Sequence, residues 1–202
     1  MNAISTAVGK LYKASALKRA IVIWIAFQVI LWAAFAISYS FSSEAWHTVL
    51  PSEGAAQSTA GIVGSALFIF ISNLFLLIII ALGNLFVRFG VVTPGLLILL
   101  IQGIIIGITA GTNAFEFPFA SVLEANIQYL KVGLWETTAY ALICAVTLTK
   151  SLNIAETFPA RQWSETRKIQ DLRLDSAEKV LTALSILMLI GAAIVEAVLI
   201  SG

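Results

Sequence analysis

Residues 95–111 read GLLILLIQGIIIGITAG, and their reading decides the fold. The stretch holds no charge and one strongly polar side chain, Gln102. Gly103, Gly107 and Gly111 recur every fourth residue, so a helix carries them as one smooth stripe. In water each glycine would weaken such a helix by about 1 kcal/mol relative to alanine. In a bilayer the same glycines let a neighbouring backbone approach closely, which is how membrane helices gain packing energy. This stretch therefore reads as a membrane span whose glycine stripe packs against another helix.

The rest of the chain agrees with a bilayer setting. Of 202 residues 59% are hydrophobic and 11% charged, and mean hydropathy is +0.96. Soluble domains carry about 25% charged residues. One spanning helix needs about 20 apolar residues, and the apolar runs mark five spans at 20–41, 61–87, 95–112, 131–149 and 180–200. The expectation is an all-α, polytopic membrane bundle forming a single domain. The basic residues ahead of the first run also fit a signal peptide. That run exceeds the usual h-region of about 7–15 residues, so it is read as an uncleaved span.

Three connections carry most of the polar sequence. Residues 2–19 contain Lys10, Lys13, Lys18 and Arg19 with a loose apolar stripe, and read as a solvated lead-in rather than a lipid-binding helix. Residues 113–130 mix Glu116, Pro118, Glu124, Asn126 and Gln128 with Phe115, Phe117, Phe119 and Ile127. Too polar to span and too apolar to float free, they read as an interfacial or re-entrant segment on the outer face. Residues 150–179 are dense in both charge signs and clearly aqueous; beyond Pro159, Ser164 is expected to open a helix that runs into the last span.

Orientation follows from Lys and Arg. With the N-terminus in the cytoplasm and the C-terminus outside, segments 1–19, 88–94 and 150–179 hold 11 of the 12 basic residues, and only Lys131 lies outside. The membrane is then the cytoplasmic membrane or another energy-transducing inner membrane.

Ionisable and amide side chains inside spans are costly and often functional. Asn73, Gln102, Glu136 and Glu196 are the candidates. Glu136 lies five residues into the fourth span, about 8 Å from its outer end at 1.5 Å per residue, and Glu196 lies four residues before the outer end of the fifth. The sharp reading is a shared polar site in the outer leaflet. The plainer one, taken as the default, is a structural clamp in which each carboxyl is protonated or hydrogen-bonded. The expected partners of Glu136 are in the 113–130 segment, which it would pin to the bundle. His47, Glu44 and Glu53 lack metal-ligand spacing and read as a wet loop, so no metal is expected. No nucleophile elbow, phosphate-binding glycine loop or dinucleotide fingerprint is present, and the basic residues lack the interleaved aromatics of a nucleic-acid surface. No enzyme activity, cofactor or nucleic-acid partner is expected. Lone Cys144 sets no disulfide framework.

The order of several motifs resembles the stage II sporulation protein M family of integral membrane proteins. These are Asn73, Gly83, Gly90, the Thr93-Pro94-Gly95 turn, Gln102-Gly103-x-x-x-Gly107, Gly133-x-x-Glu136, and Ala192-Ala193-x-x-Glu196-Ala197. They cover residues 73–200. The family often has Pro-His where this chain has Lys131-Val132 ahead of Gly133. The resemblance implies a membrane scaffold that holds other proteins; in sporulating bacteria the namesake holds peptidoglycan-degrading partners during engulfment. The expected function is thus a non-enzymatic scaffold or subunit of a larger membrane complex. Its partners would be the lipid bilayer and other membrane proteins, and a homo-oligomer is compatible with the stripe. The alternative is a transport component whose polar path involves Glu136 and Glu196.

Overall fold

A computed structural model describes residues 9–46, 61–115, 118–158 and 160–201. Six α-helices dominate: α1 Ala16–Ser42, α2 Gly61–Phe86, α3 Pro94–Gly111, α4 Val122–Gln128, α5 Leu134–Thr147 and α6 Ser176–Ser201. Among the described residues α1, α2, α3 and α6 are long and apolar enough to cross a membrane. The chain is a multi-pass, all-α membrane bundle.

Several helices start at a side chain suited to their orphan amides. The Ser15 hydroxyl accepts from the Lys18 amide ahead of α1. Thr93 does the same from Leu96, with Pro94 supplying a preset φ at the first turn of α3. Asp175 and Glu178 accept each other's backbone N–H at 2.8 and 3.0 Å, a reciprocal cap that opens α6. Gly90, at φ +54°, makes the turn between α2 and α3, where Phe89 and Val92 exchange backbone hydrogen bonds.

The centre of the bundle is α5, in which every residue from Ala139 to Thr147 is buried. The other helices face outward with large apolar side chains, among them Phe41, Val63, Phe68, Phe75 and Leu187, as helices bordered by hydrocarbon do. Side-chain contacts give the packing directions. On α1 and α3 the contacts Phe27–Gly103, Leu31–Gly107 and Phe35–Gly111 advance together, so these helices run parallel. On α2 and α5 Asn73 meets Glu136 and Asn84 meets Thr147, again parallel. On α1 Gln28 meets Thr137 and Arg19 meets Ala145, so α1 runs antiparallel to α5.

Because α2 and α5 are parallel and end together, the chains leaving them also run parallel. Strands β1 (Val87–Phe89) and β2 (Asn153–Ala155) pair in that sense, Val87 opposite Asn153 and Phe89 opposite Ala155, and β3 (Ser164–Glu165) adds antiparallel to β2. This small sheet caps one end of the bundle.

Two sequence expectations are corrected. Ser164 opens no helix, because the backbone of Ser164 and Glu165 pairs with β2. Up to Asp175 the segment is otherwise irregular apart from a 3-10 turn at Ile169–Asp171, and the helix begins at Ser176. The segment 113–130 is not one interfacial piece. Its second half is α4, which continues through a π-helical turn at Tyr129–Gly133 directly into α5. The expected fourth span is therefore the inner part of one helical run over residues 122–147.

Candidate functional site

That longer run puts Glu136 fourteen residues from its start, about 21 Å along the helix at 1.5 Å per residue. It is much deeper within its helical run than the five residues counted from Lys131. Its partner is Asn73 on α2, whose Nδ2 donates to Glu136 Oε1. The Asn73 Oδ1 in turn accepts from the Tyr140 hydroxyl at 2.8 Å. Both ends of the Asn73 amide are thereby occupied, and its orientation is fixed by a carboxylate that needs a donor and a phenol that needs an acceptor. Glu196 lies half-buried on α6, which packs against both α2 and α5. The expectation that Glu136 pins the 113–130 segment is overturned: the clamp joins α2 to α5. Asn113 instead organises that segment itself, at φ 52°, through two 3.0 Å hydrogen bonds to the Phe119 backbone.

A second amide repeats the pattern nearer the sheet. Asn84, fully buried, donates from Nδ2 to Thr147 Oγ1 at 2.9 Å and to the Cys144 carbonyl at 3.2 Å, while Oδ1 accepts from Thr93 at 2.5 Å. Asn73 and Asn84 are eleven residues apart, as are Glu136 and Thr147. Three helical turns take about 10.8 residues, so both rungs lie on one face of each helix. Glu136, Tyr140, Cys144 and Thr147 make a single stripe along α5. The eleven-residue spacing is readable in the sequence and marks Asn84 as a second amide on the Asn73 face, whereas the pairing with α5 is not.

At the sheet end a buried charge cluster ties three elements together. Glu178 accepts from Arg19 Nη2 at 3.0 Å and from Lys150 Nζ at 2.7 Å. Arg19 also donates to the carbonyls of Ala145 and Ala14, and Lys150 to that of Arg173. The side chains of Arg19 and Glu178 are 7% and 3% exposed, which places this among pairs whose disruption is costly. Sequence reasoning assigned Arg19 and Lys150 to topology alone and missed it. The cue was Glu178, a carboxyl three residues after Asp175 where the last apolar run begins.

The glycine stripe lies on α1. A Cβ on Gly103 would meet the Phe27 ring at 3.1 Å; on Gly107 it would meet Ala34 Cβ at 2.7 Å and the Phe35 amide at 3.0 Å; on Gly111 it would lie 2.6 Å from the Phe35 carbonyl. Trp46 Nε1 closes the far end by donating to the Gly111 carbonyl. Gln102, half-buried beside this stripe, is not a partner of either asparagine rung. His47 and Glu53 lie outside the described residues, and among those described no three His, Cys, Asp or Glu side chains are grouped to hold a metal.

Chemically these groups bind one another. The Asn73 amide gives the Glu136 carboxyl a hydrogen-bond partner inside the bundle, where a polar group left unpaired would cost about 1–3 kcal/mol. Cys144 is fully buried, and its Sγ accepts from Asn84 Nδ2 at 3.5 Å. No family model, curated protein or solved structure matches the chain.

Proposed function

We propose that the chain is a non-enzymatic integral membrane scaffold, or a subunit of a larger membrane complex, that crosses the bilayer five times with its N-terminus in the cytoplasm. The crossing additional to the four long helices is the α4–α5 run, fourth in chain order. In this reading the membrane is the cytoplasmic or an equivalent inner membrane, and the motif order shared with the stage II sporulation protein M family reflects a common scaffold role. The observation that carries the reading is the pairing of the buried polar groups. Asn73 and Asn84 bind α5 side chains, and Arg19, Lys150 and Glu178 bind each other. Groups spent on one another hold a frame and leave little to coordinate a passing solute.

Solubilisation from the native membrane in a lipid-preserving polymer, followed by mass measurement of the intact particle, tests this. The expected particle contains this chain with a second membrane protein at fixed stoichiometry. A particle of this chain alone, combined with solute flux when it is reconstituted in vesicles, would overturn the proposal. The presence of the Glu136 and Glu196 carboxyls on two adjoining helices is what favours the transport reading.

A further inference from the structure

The sheet end of the bundle exposes an aromatic group that water does not explain. Phe89 on β1 packs edge-on against Phe158 and Trp163, with ring centroids 5.2 and 5.6 Å away. Phe158 is nevertheless 81% exposed and Trp163 53%. The position of this group along the bundle axis is set by the chain: β1 follows α2 with no linker, and Phe89 is three residues past Phe86. At about 3.3 Å per residue that is roughly 10 Å at most. The headgroup layer on each side of the hydrocarbon is about 5–8 Å thick. With the end of α2 taken as the hydrocarbon edge, the aromatic group lies in or at the rim of the headgroup layer, where the amphipathic Trp163 ring is favoured and Phe158 can be buried at the headgroup–acyl boundary.

Positive charge sits at the same level. Tyr12 docks the helical turn at residues 9–13 onto the loop after β1: its hydroxyl donates to the Val91 carbonyl at 3.2 Å, and Arg88 lies 4.6 Å above its ring. Burial pushes the Tyr12 phenol up to about 12, so the donor stays neutral under cellular conditions. The docked turn brings Lys10 and Lys13 to this end of the bundle, and the first turn of α1 adds Lys18, all three exposed. Among the described residues no ion pair engages these lysines; with Arg88 they face the exposed carboxylates of Glu156 and Glu165 at the same end, and the lysines outnumber them.

We propose that this end of the bundle is a docking surface for anionic phospholipid headgroups, with Phe158 and Trp163 seated among the headgroups and Lys10, Lys13 and Lys18 supplying the charge. Each lysine near an anionic surface adds attraction that salt screens. The proposal rests on the membrane-spanning reading of the bundle and is independent of which partner the scaffold holds.

The test places a nitroxide at Phe158→Cys in the full chain; buried Cys144 leaves the new thiol as the reactive one. The protein is reconstituted in nanodiscs of phosphatidylcholine alone or of phosphatidylcholine with phosphatidylglycerol, and accessibility to a neutral aqueous nickel chelate is measured. Shielding is expected in both bilayers, several-fold stronger with phosphatidylglycerol, and the added part is expected to vanish at high salt and in a Lys10→Gln, Lys13→Gln, Lys18→Gln variant. A Trp163→Cys label should repeat the pattern. A label as accessible as a free nitroxide in both bilayers would overturn the proposal, as that face would then be open to water or to a protein. Equal shielding in the two bilayers would overturn its anionic occupant. Both nanodisc leaflets have one composition, so neither outcome depends on orientation or on the scaffold assignment.

Discussion

Glu178 collects more of the fold than any other side chain, since its carboxylate receives Arg19 from the start of α1, Lys150 from the end of α5 and the Asp175 amide that caps α6. Glu178→Gln keeps the volume and one acceptor but leaves buried Arg19 and half-buried Lys150 without an anion. Breaking a buried pair by removing one partner costs about 3–5 kcal/mol. Thermal unfolding in detergent should show a clearly lowered Tm for this variant, and an unchanged Tm would mean the cluster is wetter than its burial indicates. At this scale residue type was legible and pairing was not. Asn73, Glu136 and Glu196 stand out in the sequence as polar groups in apolar runs. Their partners depend on which helices adjoin, and sequence order does not state that α2 and α5 lie side by side. Asn84, near the end of its apolar run, is buried as a cross-link because α5 ends beside it.

The α1–α3 seam is the element that the sequence declares most openly. Four-residue spacing of Gly103, Gly107 and Gly111 marks a flat helix face, and Phe27, Leu31 and Phe35 repeat with the same spacing on α1. Gly107→Leu would drive a branched side chain into the α1 backbone around Leu31 and Phe35. The expected result is loss of folded, monodisperse protein on size-exclusion chromatography in detergent, since overpacking alone costs about 1–3 kcal/mol and here the obstacle is backbone. A Gly107→Leu variant as stable as the parent would separate the two helices. The sheet and the segment after it were hidden for a physical reason. Strands of two or three residues are too short to display a period of two, and β1 looks apolar because it prolongs a span. Ser164 and Glu165 resemble a helix start, but their backbone pairs with β2, which exists only because α2 and α5 end together.

For the whole molecule, the parallel and antiparallel relations place α1 and α3 in one direction and α2 and α5 in the other, as alternate crossings require. With the N-terminus in the cytoplasm, a Ser201→Cys thiol should react with a membrane-impermeant reagent from outside intact cells; reaction only from the cytoplasmic side would invert the topology. The central claim is that the buried polar groups build a frame and do not line a path, and Glu136 is where the two differ. In a frame, Glu136 ties α5 to α2 through Asn73. In a path, it faces water and changes its charge during use. Glu136→Gln preserves shape and hydrogen bonding to the Asn73 amide, while Glu136→Leu removes both. The direct measurement is the Tm and the co-purified partner of each variant, together with growth of cells that depend on the protein. The frame predicts that Gln retains stability, partner and growth and that Leu loses all three. Normal stability and partner binding with Gln, but loss of growth, would contradict it.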